Sequence, residues 1–202
     1  PTDPANAATL EQSLNRLSLT QGELLYAQGH FSEKRYAVLF KPGNYAINFR
    51  VGYYVQVLGL GKHPADVKFT SELGVYCPAT DPSRPGPGSL DTFWRSAENI
   101  RTGKNGFQWA VSQAAPIRRI DVVGDLTLID GEAYASGGFM SNINVNGKIN
   151  FGGQQQWFTR NSNVSNGHEG GAWNLVFGGC SGIIGRTARD SGVSVDTVLS
   201  RS

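Results

Sequence analysis

Apolar residues in this chain recur with two different periods. Near the N-terminus, Leu10, Leu14 and Leu17 fall at helical spacing. Thr9 stands just ahead as a cap, and Gln12 three residues later completes a capping box. A helix with one apolar stripe suits the covering of an end. From Tyr36 onward the spacing is that of strands. Tyr36 to Phe40 reads as a short strand, and Lys41 to Tyr45 as a turn. Ala46 to Val51 alternates inward and outward residues. Tyr53 to Leu58 is another strand, and Val67 to Phe69 a third short one. Gly52 and Gly59-Leu60-Gly61 punctuate them. Strands this short, with Gly or Pro corners, fit a coil better than long hairpins.

Gly74 to Ser89 breaks the pattern with Pro78, Pro82, Pro85 and Pro87. Proline cannot donate to a central ladder, so this segment reads as a loop. Long loops in compact domains are often functional. Beyond it lies a weak repeat. Phe93 to Ile100, Phe139 to Val145 and Trp157 to Val164 each carry an aromatic or apolar pair, small polar residues, an Asn and a β-branched residue. Leu175 to Cys180 is a degenerate copy. Units recurring at about 20 residues signal a solenoid.

The fold class expected is all-β, a right-handed parallel β-helix. Each strand pairs with its equivalent on the next coil, about 4.8 Å away. Asn99, Asn142, Asn161 and Asn163 are candidates for corners, because Asn tolerates the left-handed conformation. An open solenoid end needs a cap, which the helix around Leu10 to Leu17 supplies. The expected layout is a single domain over 1–202. Residues 1–30 form the cap region, 31–180 the coils with the 74–89 loop, and 181–202 a tail.

Composition narrows the function classes. The 202 residues fit one domain. Charged residues are 17% of the chain, below the roughly 25% of an average soluble protein, and Gly is abundant. Both favour a turn-rich β fold. A net charge of +2 gives no ground for nucleic acid as a partner. No apolar run approaches the roughly 20 residues of a membrane helix. Cys77 and Cys180 match no metal pattern. Coiling sets them several turns apart, on the order of 20 Å at one strand spacing per turn. A disulfide needs Cα atoms within about 7 Å, so only a long excursion of the 74–89 loop could join them. Asn163-Val164-Ser165 is a glycosylation sequon, with a chance match as the plainer reading.

Several stretches resemble one family closely. They are Tyr36 to Tyr45 (YAVLFKPGNY) with Phe31 ahead of it, Val51 to Gly61 (VGYYVQVLGLG), Thr92 to Ile100 (TFWRSAENI), Trp109 to Arg119 (WAVSQAAPIRR), Ser136 to Asn142 (SGGFMSN) and Gln154 to Asn161 (QQQWFTRN). The family comprises large secreted proteins of actinobacteria, fungi and other microbes. They often carry labels such as "adenylyl cyclase" or "coagulation factor 5/8 type domain protein". The resemblance runs from about residue 31 to about residue 180. It implies a pectate-lyase-like right-handed β-helix, distantly akin to the β-helices of secreted β-1,3-glucanases, and an extracellular setting. Family members are longer, and Arg186 to Ser202 does not look like the continuation of their β-helix. No carboxylate constellation for a nucleotide cyclase is present.

Three kinds of chemistry are open. Glycoside hydrolysis needs two carboxyls at about 5–10 Å. Glu98 and Asp121 are the candidates, on neighbouring turns, unless they serve in ion pairs. Lyase chemistry on uronates would use Arg118, Arg119 or Arg160, unless these are solvated. Sugar binding needs aromatic platforms with amide and guanidinium donors. Trp94, Arg95, Trp109, Gln113, Arg118, Gln155, Trp157, Arg160 and Trp173 are the candidates. The alternative for the tryptophans is stacking inside the coil, and two of the four are expected to be buried. His30, His63 and His168 are isolated, and no dinucleotide cradle exists, so no cofactor and no metal are expected. The expected function is a carbohydrate-active or carbohydrate-binding domain acting on an extracellular polysaccharide, as hydrolase, lyase or binder. The alternative is a structural subunit of a filament or sheath, with self-association or other protein subunits as partners.

Overall fold

A computed structural model describes residues 4–20, 31–79, 92–131, 134–164, 166–182 and 194–197. Its main sheet is parallel. In spatial order the strands are Tyr36–Phe40, Val55–Gly59, Ser96–Thr102, Ile117–Val122, Gly138–Ser141, Gln156–Arg160, Asn174–Gly178 and Ser194–Thr197. Spatial order equals chain order, so each coil lies on the one before. This is the parallel β-helix that the repeat predicts. The register partners Val57 and Ala97 lie twice as far apart in sequence as Ala97 and Ile117. The long interval contains the proline-rich segment.

Each coil turns a corner after its main-sheet strand. Asn99, Arg119, Asn142 and Asn161 hold the left-handed conformation there, with φ of 58, 50, 54 and 48°. The register aligns the four in one column. Asn relieves this conformation with its short polar side chain. The Asn99 amide also donates to the carbonyls of Gly59 and Gly61, at 2.9 and 2.7 Å. Arg119 takes a corner that the Asn pattern does not predict. Asn163 is not at a corner. It lies in the strand Asn163–Val164 on the second face, opposite Asn144.

Inward positions stack mostly apolar on apolar. Val57, Ala97, Ile117, Met140, Thr159 and Phe177 follow one another beneath the main sheet, all buried, with Thr159 a polar member of the column. Burial of each such aliphatic or Phe side chain contributes about 1.5–3 kcal/mol. The neighbouring inward column contains Gly138 beside Trp157. A β-carbon at Gly138 would stand 1.9 Å from the indole, so glycine there makes the room that Trp157 fills.

The helix α1 spans Pro4–Thr20. It begins before the expected cap at Thr9, because Pro4 suits the first helical turn. Thr9 is interior and donates its hydroxyl to the carbonyl of Ala5. Ala7 and Leu14 are buried against the core, with Leu10 and Leu17 partly so. The helix therefore covers the first coil, as its stripe predicts. It also engages that coil's backbone. Asn15 donates to the Asn48 carbonyl and accepts from the Arg50 N–H, both at 2.9 Å. Glu11 accepts from the Asn48 N–H at 2.6 Å.

Two expected boundaries shift. In the 74–89 segment, Val75–Tyr76 is a strand paired with Phe49–Arg50, and Cys77 bridges to Trp109. Residues 80–89 lie outside the described residues. In the 181–202 tail, Ser194–Thr197 adds a parallel strand beside Asn174–Gly178. That part of the tail continues the coil. Cys77 and Cys180 are not joined in a disulfide.

Replacing Gly138 with Ala is expected to destabilise the fold by about 1–3 kcal/mol, the usual penalty of overpacking. The double change Gly138→Ala with Trp157→Leu should recover part of that loss. Urea midpoints of the three proteins check this.

Candidate functional site

A second left-handed column runs along the other border of the main sheet. Its members are Tyr54, Trp94, Ala114 and Gly137, with φ of 59, 53, 57 and 82°. Each precedes the first inward residue of its strand by one position. That placement turns a side chain out beside the sheet face. Tyr54 donates its N–H to the Trp94 carbonyl at 2.6 Å, which locks the two turns together. Their rings stack at 5.3 Å, only 7° from parallel. The Arg35 guanidinium sits 3.7 Å from the Tyr54 ring centroid. Phe93 and Phe31 flank Trp94 at 5.4 and 6.4 Å.

This aromatic wall borders a groove of about 930 Å³. Outward side chains of successive strands make its floor: Gln56, Ser96 and Pro116, with Arg118 at one side. Trp94 is 37% exposed. Arg95 supports the wall from beneath and is 3% exposed. Its guanidinium donates to the carbonyls of Val51 and Phe93, at 2.6 and 3.1 Å, and lies over the Tyr53 ring.

The structure sorts the candidates. Trp94 and Arg118 line the groove together. Arg95 also borders the groove but is almost wholly buried, with its guanidinium held by backbone carbonyls and the Tyr53 ring. Gln113 is exposed, with its side chain against Gly137. Trp109 and Trp157 are buried and cannot stack on a surface ligand. Trp109 donates its indole N–H to the Ala115 carbonyl at 2.9 Å, which fixes it inside. Two of the four tryptophans are thus internal, as expected. Trp173 is exposed and Gln155 half-buried, and neither lines the groove. Arg160 projects from the main sheet two coils beyond Arg118.

Glu98 and Asp121 do not form a carboxylate pair. Glu98 precedes the corner residue Asn99 and is in register with Arg118. Asp121 follows the corner at Arg119 and lies on the second face. The left-handed turn between them sends their side chains to different faces. Asp121 is tied to Arg101 at 2.6 Å and accepts from Asn144 at 3.0 Å. Asn163 continues that chain, donating its amide to Asn144 at 2.9 Å. The nitrogen that a glycan would occupy is therefore engaged. Burial pushes the Cys180 thiol up, away from a reactive thiolate. Among the described residues no group of three or more His, Cys, Asp or Glu could hold a metal ion. Among them no helix is long and apolar enough to cross a membrane.

Arg35, Tyr54, Gln56 and Ser96 also line the groove and are absent from the candidates above. One signal marks Tyr54. Tyr53-Tyr54 and Phe93-Trp94 are aromatic pairs that fall in register on successive coils.

No protein-family model matches the chain. Over 156 residues it is 42% identical to an exo-β-1,3-glucanase of Streptomyces sp. strain SirexAA-E. The match covers 75% of this chain and 25% of that protein. This chain is akin to a carbohydrate-active β-helix. The solved structure of sacteLam55A from Streptomyces sp. SirexAA-E agrees, with a TM-score of 0.81 at 33% identity. It matches 96% of this chain and 34% of that one. A variant of sacteLam55A in complex with glucose gives a TM-score of 0.75 at 32% identity, over 96% of this chain and 33% of that one. The chain spans about a quarter to a third of these relatives. The curated relative is named a glucanase and does not carry the cyclase or coagulation-factor labels attached to the resembling family.

Because Asp121 belongs to a side-chain ladder, its removal should act on stability. Asp121→Ala is expected to cost about 1 kcal/mol, given the partial exposure of the ion pair. It should leave binding of a soluble glucan unchanged. Denaturation midpoints and calorimetric titration of the same protein check both halves.

Proposed function

We propose that this chain is the glycan-holding part of an extracellular β-glucan-active protein. One observation carries the reading: a stacked, exposed aromatic wall ending at Trp94 stands beside polar groups on a parallel sheet face. The hexose repeat of a glucan offers the matching chemistry. Its C–H faces are apolar and lie flat on an aromatic ring. Its hydroxyls need partners as water leaves, since an unpaired buried polar group costs about 1–3 kcal/mol. The Arg118 guanidinium donates, the Gln56 amide donates and accepts, and the Ser96 hydroxyl does both. A largely preformed site of this kind spends little free energy on ordering.

The glucanase name of one relative and the glucose bound to a variant of sacteLam55A support a glucose polymer as the ligand class. The groups that line the groove support binding of the glycan. Among the described residues no pair of carboxyl groups faces the groove, and the hydrolytic mechanism needs two flanking the scissile bond.

Isothermal titration of the chain with a soluble β-1,3-glucan tests this. Saturable binding is expected. Trp94→Ala should weaken it by about tenfold or more, equivalent to about 1.4 kcal/mol. Trp173→Ala should leave it unchanged. Equal binding by all three proteins, or none by the parent, would overturn the proposal.

A further inference from the structure

Three Asn-Gly pairs stand in this chain: Asn105-Gly106, Asn146-Gly147 and Asn166-Gly167. The pair carries a chemistry of its own. Glycine has no β-carbon to shield its backbone nitrogen. That nitrogen attacks the Asn side-chain carbonyl carbon when the side chain is free to swing onto it. In all three pairs the glycine N–H donates one backbone hydrogen bond, to the carbonyls of Gly103, Gly124 and Val164 at 3.1, 3.0 and 2.9 Å. The nucleophiles are therefore engaged alike, and the Asn side chains decide which pair reacts. Asn146 is held from both ends. Its amide donates to the Val122 carbonyl at 2.9 Å, and its oxygen accepts from Asn144 at 3.3 Å. Its glycine is packed as well, since a β-carbon at Gly147 would overlap Asp125 Oδ1. Asn166 donates its amide to the Asn146 carbonyl. Asn105 differs. It is exposed, in the turn that the Gly106 N–H closes on the Gly103 carbonyl, and no hydrogen bond holds its side chain among the described residues. A β-carbon at Gly106 would meet only the Asp125 carbonyl, at 3.7 Å, so water reaches this peptide.

We propose that Asn105 is a modification site, converting spontaneously to aspartate and isoaspartate while Asn146 and Asn166 keep their amides. The Gly106 nitrogen gives up its proton to water and bonds to Asn105 Cγ. The Cγ–Nδ2 bond breaks, and the nitrogen takes up a proton and leaves as ammonia. One water then opens the succinimide that remains. Opening at one carbonyl gives aspartate. Opening at the other gives isoaspartate, whose main chain runs through the side-chain carbon. The balance is one water in and one ammonia out, with no change of oxidation state. Either product adds a negative charge on an edge that is already acidic. Glu72 is one coil before, where its carbonyl accepts the Asn105 N–H at 3.3 Å, and Asp125 is one coil after, in register with Gly106. Isoaspartate also lengthens the turn that seats Phe107, a fully buried residue. None of these residues lines the groove. Ageing at Asn105 therefore acts on the stability of the coil and spares the groove.

Incubation of the folded chain at neutral pH, followed by peptide mapping in a mass spectrometer, tests this. The Asn105 peptide should change from amide to acid first, at least about tenfold faster than the Asn146 peptide, equivalent to about 1.4 kcal/mol. Unfolding in urea should speed conversion at Asn146 and Asn166 and leave Asn105 the least affected, because only Asn105 already reacts as an exposed segment does. Asn105→Gln lengthens the side chain by one carbon and should remove the early release of ammonia. On prolonged incubation the thermal midpoint of the parent should fall while that of Asn105→Gln holds. If Asn105→Gln does not fold, the order of the three sites in the parent, folded against unfolded, decides alone. Conversion of Asn146 or Asn166 in the folded chain as fast as Asn105 would overturn the proposal. So would an Asn105 amide that survives in the folded chain while the unfolded chain loses it.

Discussion

One strand spacing per coil governs this molecule. Backbone hydrogen bonds between parallel strands fix that spacing near 4.8 Å. Every side chain therefore meets its equivalent one coil above and one coil below. A position's neighbours are chosen by register and not by sequence proximity. Like mostly stacks on like because an unpaired polar group in a buried column costs free energy. Gly138 and Trp157 show how tight the rule is: the glycine exists in its column to admit the indole beside it.

The outside obeys the same rule with different content. On the second face it yields a polar ladder, Arg101 to Asp121 to Asn144 to Asn163, in which each side chain bonds the next. Along the opposite border it yields an aromatic ladder from Tyr54 to Trp94, propped by Arg35 above and Arg95 beneath. The first ladder is closed upon itself and stabilises the coil. The second borders the groove.

The Asn residues were the legible anchors of the coil. Asn99, Asn142 and Asn161 align at the corner because the left-handed turn favours their side chain. The aromatic pairs were poorer guides to register. Phe139 aligns with Phe158 and not with Trp157, so matching aromatic pairs slips the repeat by one residue. A slip of one exchanges inside for outside, so the aromatic pairs alone could not say which two of the four tryptophans are buried. Arg119 at a corner carries no sequence signal. The groove itself depended on which residues share a column, and Gln56 and Ser96 are unremarkable in sequence. The Glu98 and Asp121 pairing failed for a geometric reason: adjacency of coils says nothing about the corner between two residues.

The helix cap has a consequence for self-association. Asn15 presents an acceptor and a donor, and Glu11 an acceptor, to the backbone between Asn48 and Arg50. Those are the groups that an incoming strand would use. A second molecule arriving at this edge finds its template already read. Strand addition at Asn48 to Arg50 is thus opposed by three hydrogen bonds from two side chains.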